Sequence, residues 1–549
     1  MRYSQLAALY SKLEKTPGKL EKRNTLAAFY KQCDELEKVV LLSMGLVSTT
    51  EEMGLARGLV KRIVMKAYGA SEKELTRKFK ETGDLGKTAE FFAANKHQTT
   101  LSSKELTVEK VFDNLSKLPF VTGLGSQERK QQLMIELLSS SAPLEARYIV
   151  RTILGDMRIG VAAGIVRDAI ALAFEKDPKE VEKIYDIVGD FGKVAEMARK
   201  GKLKAEMAVG FPIRVMLADR AGSLEEAVGK FEKPAIEWKY DGFRIQVHKD
   251  CDKIKIFSRR MEDVTAQFPD IVKMAREGIR ARQCIVEGEA VAIKGGRPQP
   301  FQMLSRRIQR KYEIEKMVRE IPVQINFFEL IYLDGDSYME RPLAERWSEL
   351  KKIICETQSF RLADHLETKD AKEAKKFYAA ALKAGQEGVI VKNLEAFYQP
   401  GKRVGFWLKV KDILEPLDLV VTGAEWGEGK RTQWLGSLIL AARDGSTFKE
   451  TGRMASGLTE EQMESLTKIL KKLIVREEGR IVKVKPEIVV EIGYEEIQKS
   501  PKYPSGYALR FPRLLRIRTD EKKPADANTV KDIEKMFSMQ TRRRPGKKS

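Results

Sequence analysis

Four cysteines and three histidines are all that the 549 residues contain, and neither set is arranged for metal. Cys33, Cys251, Cys284 and Cys355 lie far apart with no C-x-x-C pair. That argues against a zinc module and against a disulfide framework, and it points to a reducing compartment. His97, His248 and His365 show no ligand spacing, so any metal is expected to be a hard ion held by carboxylates and phosphates. No run approaches the ~18 apolar residues of a spanning helix. The opening Met1-Arg-Tyr-Ser-Gln-Leu6 lacks a basic-then-apolar signal. An intracellular, cytoplasmic protein with no membrane role is expected, and no internal repeat argues for a solenoid.

Charge is what the chain has in excess. Charged residues make up 33%, and 100 Lys and Arg outnumber 79 Asp and Glu for a net charge of +21. Such a surplus predicts a polyanionic partner, nucleic acid or an anionic membrane face, and nothing supports the membrane. Hydrophobic residues at 42% suffice for several cores. At roughly 150 residues per domain the length predicts about three or four domains.

Residues 1–208 read as all-α. Leu6, Leu9, Tyr10 and Leu13 share one face at helical spacing, and similar stripes run over Ala27 to Leu42, Val108 to Leu118 and Ile165 to Phe174. Near Phe211-Pro212 the period changes. Over 209–413 short alternating runs dominate (Ile236 to His248, Lys253 to Ser258, Cys284 to Ile293, Val323 to Leu333, Gly388 to Asn393, Phe406 to Lys411). Helical stretches intervene at Ile271 to Arg282 and Lys369 to Ala384, so an α+β domain is expected. Over 414–549, strands at Leu417 to Thr422, Gly436 to Ala442 and Ile488 to Ile492 surround a helix at Glu460 to Leu473. That suits a small β-barrel of the OB type, followed by a basic tail from Thr541 to Ser549 read as a solvated end.

The strongest local signal is Glu237-Trp-Lys-Tyr-Asp-Gly-Phe-Arg244. A strand follows Gly242, so Lys239 sits at the mouth of a turn, where a lysine can face a ligand. Nearby cations or desolvation would favour the neutral amine a nucleophile requires. Taken alone, such a lysine is most often a solvated surface residue; its companions change the odds. Glu287 and Glu289 alternate onto one strand face, where two carboxylates repel unless a cation or polar ligand lies between them. Glu387 and Lys392 bracket a β-branched run. In Phe406-Trp-Leu-Lys-Val-Lys411, Lys409 and Lys411 share the face opposite Phe406, Leu408 and Val410, roughly 6.6 Å apart, a spacing that favours a polyphosphate. Arg259 closes a strand expected to pair with the first across the Asp250-Cys-Asp252 turn. Phe328 is either plain core or a platform for a purine.

Lys239-Tyr-Asp-Gly-Phe-Arg244 resembles the KxDGxR signature of covalent nucleotidyltransferases, the superfamily of ATP-dependent polynucleotide ligases and mRNA capping enzymes. Phe257-Ser-Arg259, Val286-Glu-Gly-Glu289, Phe327 to Gly335, Glu387 to Lys392, Trp407 to Lys411 and Leu509 to Asp520 follow in the family's order. The helical first third, including Asp156-Met-Arg-Ile-Gly160, is similar to the DNA-binding domain of archaeal and eukaryotic replicative DNA ligases, so the resemblance spans nearly the whole chain.

The resemblance implies that Lys239 attacks the α-phosphorus of ATP and holds AMP as a phosphoramidate. AMP then passes to the 5′-phosphate of a nick, and the 3′-hydroxyl displaces it. It implies that Glu237 accepts from the adenine amino group, that Phe328 stacks on the ring, and that Arg244 and Glu289 hold the ribose region. Arg259, Arg403, Lys409 and Lys411 contact phosphate, and Lys392 joins them. Glu289 and Glu387 hold Mg²⁺ or Mn²⁺. Arg510, Arg513, Arg516 and Lys522 orient pyrophosphate in the first step. The implied partner is nicked duplex DNA, bound by a monomer in the nucleoid. The stretch where relatives carry a sliding-clamp peptide reads Gln98-Thr-Thr-Leu-Ser102, with Gln98 and Leu101 but no aromatic pair.

A capping guanylyltransferase or an RNA ligase shares the lysine chemistry but is not expected to open with a helical DNA-gripping domain. The missing four-cysteine module disfavours NAD-dependent ligases. A scaffold with a dead site would have lost Lys239, Glu289 or the Lys409/Lys411 pair, and all are present.

Overall fold

A computed structural model describes residues 1–49, 53, 55–96, 105–121, 123, 125–204, 207–299, 301–308, 310, 313–411, 414–428 and 431–543. Gln98 and Leu101, and the tail beyond residue 543, lie outside them. The chain forms two compact units. One gathers Met1–Lys15, Met53–Gly160 and Ile413–Arg542; the other gathers Thr16–Glu52, Val161–Asp412 and Arg543–Ser549. The helical first third is thus divided between them.

Up to Arg199 every helix or strand among the described residues is helical apart from an isolated bridge. The first helix, Tyr3–Lys15, buries Leu6, Leu9, Tyr10 and Leu13 as their spacing predicts. The stripe over Ala27 to Leu42 is not one helix. It is cut at Cys33, whose extended backbone (φ −88°, ψ 137°) ends Lys19–Gln32 before Leu36–Ser43 begins. Ser71 and Glu74 form a reciprocal capping box at the start of Glu72–Thr82. Asp84 caps Leu85–Ala94 and takes Arg151 Nη2 at 2.6 Å, a buried charge satisfied from two sides.

The second unit carries two sheets that position the site. In the first, β1 (Pro234–Lys239), β6 (His365–Glu367), β7 (Gly388–Asn393) and β8 (Trp407–Lys411) run in the order β8-β7-β1-β6, with the two-residue strand Asp219–Arg220 parallel on the outer edge of β8. In the second, β2 (Phe243–Asp250), β3 (Lys253–Ser258), β4 (Gln283–Lys294) and β5 (Val323–Leu333) run in the order β3-β2-β4-β5. β2 and β3 pair across a two-residue turn at Cys251-Asp252, with Asp250 opposite Lys253. Alternation is disturbed where β4 meets β5. Glu287 faces Glu329 but Gly288 faces Phe327, so Phe328 is an extra residue at a bulge. The bulge frees its ring from the ladder's alternation.

In the first unit a six-stranded sheet holds β9 (Leu417–Trp426), β10 (Leu435–Asp444), β11 (Thr447–Met454), β12 (Ile474–Glu478), β13 (Ile481–Gly493) and β16 (Arg513–Ile517). Its order is β11-β10-β9-β13-β12, with β16 also on β13. β14 (Glu496–Lys499) and β15 (Tyr507–Arg510) form a separate ladder. Leu419, Val421, Leu440 and Val490 bury one sheet face against Leu466 and Leu470 of the helix Glu460–Leu473. In place of the expected small barrel of the OB type there is an open sheet: the stretch just after β11 meets β16 through an isolated bridge, Ser456 to Arg513, rather than a ladder.

Candidate active site

Register decides which side chains share a face. Glu237 on β1 lies opposite His365 on β6 and Ile390 on β7, while Lys239 lies opposite Gly388. Gly388 in turn faces Lys411, and Ile390 faces Lys409. Cross-strand partners point to the same side of a sheet, so Glu237, Lys239, Lys409 and Lys411 line one surface. Gly388 makes this close approach feasible. Its φ of +143° is one that side chains rarely adopt, and a Cβ there would stand 2.2 Å from the carbonyl of Val410.

At the turn end, Lys239 Nζ forms an ion pair with Glu387 Oε2 at 2.6 Å, and Lys411 Nζ lies 2.9 Å from the same oxygen. Burial alone would raise the Glu387 pKa, but the two lysines hold it well below the ordinary value. Glu289 goes the other way. Burial, with the charges of Glu387 and Asp241, pushes it up to about 7 against Lys239 and Arg244. Two neighbouring carboxylates are therefore driven apart, the pattern of groups assigned different work.

Two residues before Lys239 on β1, Glu237 is buried between two partners. Lys392 Nζ forms an ion pair with Oε2 at 2.6 Å, and His365 Nδ1 lies 3.1 Å from Oε1. Burial opposes the charge, but Lys392 and His365 keep the carboxyl pKa below its usual value. Lys392 is thus paired with Glu237 rather than with Glu387. It sits four residues from Gly388, roughly 13 Å along the strand at ~3.3 Å per residue, and two from Ile390, the residue opposite Lys409. There it donates to the Phe328 carbonyl at 3.2 Å and lies 4.7 Å from the Phe328 ring and 4.4 Å from the Trp407 ring.

Phe328 meets Trp407 edge-on at 6.1 Å, and the Arg244 guanidinium lies 5.2 Å from both rings. Arg244 donates to Glu287 Oε2 at 2.7 Å and to the Met216 carbonyl at 2.8 Å. Glu287 also accepts from the Tyr398 hydroxyl at 3.1 Å. The expected acidic pair is therefore split: Glu287 is a buried brace for Arg244, and Glu289 keeps partial access. Arg259 follows β3, its pKa lowered by partial burial and by the charges of Arg244 and Arg403. Arg403 Nε lies 3.8 Å from Asp219.

Among the described residues no group of three or more His, Cys, Asp or Glu is arranged as a metal cage. Glu289 and Glu387 still suit a hard cation, because the Glu289 carboxylate is left under-compensated. Such an ion would complete its shell with phosphate and water. In the C-terminal region Arg510 pairs with Glu496 at 3.2 Å, Arg516 with Glu491 at 2.7 Å and Lys522 with Asp418 at 2.5 Å. Arg513 opposes Gly493 on β13.

Sequence reasoning missed His365 and Tyr398. Neither belongs to a local pattern; pairing of distant strands brings His365 to Glu237, and the loop after β7 brings the Tyr398 hydroxyl to Glu287.

Three family models match in order: "DNA ligase N terminus" over 2–171, "ATP dependent DNA ligase domain" over 215–411 and "ATP dependent DNA ligase C terminal region" over 431–521. The chain is 44% identical to the DNA ligase of Thermococcus fumicolans, covering 99% of each. It is 43% identical to that of Archaeoglobus fulgidus, covering 98% of this chain and 99% of the other. The solved structure Pmar-Lig_PreS3, 17% identical, shares the fold with a TM-score of 0.61 over 93% of this chain and 99% of that one.

Proposed function

We propose a mechanism from one premise: the chain belongs to the ATP-dependent DNA ligase family. It is an enzyme of three regions, a helical N-terminal domain, an adenylation domain and a C-terminal domain, and it seals nicks in DNA using ATP. The observation that carries the mechanism is the shared carboxylate oxygen, Glu387 Oε2, that fixes Lys239 Nζ beside Lys411.

Lys239 Nζ is the nucleophile. Glu387 holds it at the end of β1, and an entering triphosphate offers Lys411 a competing anion. Lys409, Lys411, Arg259 and Arg403 neutralise the phosphate oxygens while Nζ, its ammonium proton released to solvent, attacks the α-phosphorus in line and pyrophosphate leaves. Glu237 accepts from the adenine amino group, Phe328 stacks on the ring with Lys392 beneath it, and Arg244 and Glu289 hold the ribose. AMP, carried as a phosphoramidate on Lys239, passes to the 5′-phosphate of the nick. The 3′-hydroxyl then attacks that phosphorus and AMP departs. Glu289 and Glu387 would hold Mg²⁺ or Mn²⁺, which supplies Lewis-acid charge neutralisation on phosphate when bound.

Arg510, Arg513, Arg516 and Lys522 orient the pyrophosphate in the first step. The domains are bounded at 1–208, 209–413 and 414–549, the C-terminal sheet is of the OB type, and the working form on nicked duplex is a monomer. Incubation with α-labelled ATP and Mg²⁺, then denaturing electrophoresis, tests the mechanism. A labelled chain that loses label to nicked duplex supports it. Label that never becomes covalent removes Lys239 chemistry.

A further inference from the structure

The carboxylate proposed to meet adenine does not stand by itself. Its strand neighbour across β1–β6 is His365, whose ring is largely buried and lies flat on Trp347 of the helix Leu343–Ile353, with centroids 4.2 Å apart and planes at 15°. Nδ1 faces Glu237 Oε1 at 3.1 Å, and Nε2 faces Glu367 Oε1 at 3.3 Å. Lys392 holds the other oxygen of Glu237 at 2.6 Å. The carboxylate is gripped from both sides, so its plane is set before any nucleotide arrives.

We propose that His365 is a positioning residue for purine selection: the Nδ1–H···Oε1 bond fixes the rotation of the Glu237 carboxylate so that a remaining lone pair meets an exocyclic amine. This rests on the reading of Glu237 as the adenine contact. Each carboxylate oxygen accepts two hydrogen bonds, so Glu237 can keep both partners and still take one from the base. Adenine presents an amine at C6, which donates. Guanine presents a carbonyl there, which meets a carboxylate with repulsion and leaves a buried acceptor unpaired. Without His365, Lys392 alone restrains Glu237, and the carboxylate can turn aside to leave the ammonium facing that carbonyl. The histidine therefore serves both affinity for ATP and rejection of GTP.

Two substitutions separate the hydrogen bond from the packing. His365→Phe keeps a ring on Trp347 and removes the donor. His365→Asn removes the ring and keeps an amide donor near the Nδ1 position. KM and maximal rate of self-labelling are measured with ATP and with GTP, beside sealing of pre-adenylated nicks, which needs no free nucleotide. The expected result for His365→Phe is an ATP KM raised about tenfold, the worth of one charge-assisted hydrogen bond. The maximal labelling rate falls by less than that, the ATP/GTP preference narrows, and His365→Asn restores most of both. If the phenylalanine variant behaves as wild type while the asparagine variant is impaired, the ring is packing only and the inference falls. Equal impairment of both also overturns it. Should His365→Phe fail to seal pre-adenylated nicks, its fold is damaged and His365→Gln, whose amide reaches toward Glu367 instead, is read in its place. Glu237→Gln is the reference: an unchanged ATP KM there fails the Glu237 reading itself, whereas a raised KM there with none in His365→Phe fails only the role of His365.

Discussion

The cations around Lys239 and those along β16 differ in how they are housed. Lys239, Lys392 and Lys411 are enclosed, with side-chain exposures of 20%, 1% and 24%, and each is locked to Glu387 or Glu237. Arg516 is 51% exposed, and its partners Glu491 and Glu521 belong to the same open sheet and the turn that follows it. The first set is fixed, because removing one buried partner strands a charge and costs about 3–5 kcal/mol. The second set is loosely parked, since exposed pairs contribute about 0–1 kcal/mol and exchange partners easily. A reacting phosphorus needs positions held to a fraction of an ångström, whereas groups that orient a departing anion in one step do not.

The most severe way to break this comparison is Lys239→Ala. Lys411 still satisfies Glu387, so the fold is retained and nicked-duplex affinity stays within about twofold. Labelling by ATP is expected to fall by at least about 10⁴-fold, the scale of losing a nucleophile that acts with its companions. Residual labelling near the parent rate would move the nucleophile elsewhere and dissolve the enclosed cluster as a catalytic unit.

A smaller effect separates the two sets directly. Arg516→Ala is expected to slow self-labelling by about 10–100-fold, a lost charge contact in the transition state, with little change in melting temperature. Lys411→Ala should slow both labelling and sealing of pre-adenylated nicks. Arg513→Ala should likewise slow self-labelling while leaving sealing of pre-adenylated nicks near the parent rate, as for a group that orients pyrophosphate. If Arg516→Ala also slowed sealing of pre-adenylated nicks to the same degree, the C-terminal cations would not be specific to the first step.

The same contrast explains what was legible in sequence. Lys253–Ser258, Val323–Leu333, Gly388–Asn393 and Glu460–Leu473 appear with the predicted bounds, the first and last because one period dominates each, the middle two because an apolar run stops at turn residues. The stripe across Ala27 to Leu42 misleads, since apolar spacing continues through Cys33 while its backbone turns extended. Lys239, Glu237 and the Lys409/Lys411 pair could be read because chemistry and alternation coincide there. The place of Lys392 could not. Whether it meets phosphate or Glu237 depends on its distance from the strand end and on which strand lies alongside. Phe328 owes its position to a bulge, and His365 owes its role to the β1–β6 register. Both are long-range facts. So is the division of the helical third between two units, which no local pattern announces.

The finest test lies inside the enclosed cluster, where two neighbouring carboxylates are held on opposite sides of the ordinary value of 4.5. For Glu289 the folded value, about 7, is the higher, so the folded chain binds the extra proton between the two. Its favourable share of stability is complete below 4.5 and is lost as pH rises through 7. Glu387 is depressed, so its share is present above 4.5 and lost only as pH falls through its folded value. With metal removed by EDTA, Glu289→Gln should be more stable than the parent at pH 8.5, by on the order of 1–3 kcal/mol, seen as a higher melting temperature, and the gain should shrink at pH 5.5. Glu387→Gln should lower the melting temperature at both, because Lys239 and Lys411 lose their shared partner and both conditions lie above its folded value. Thermal melts of the two variants at the two pH values give the answer. Shifts of the same sign in both would mean that the carboxylates are equivalent, and the separation of roles drawn from their surroundings would fail.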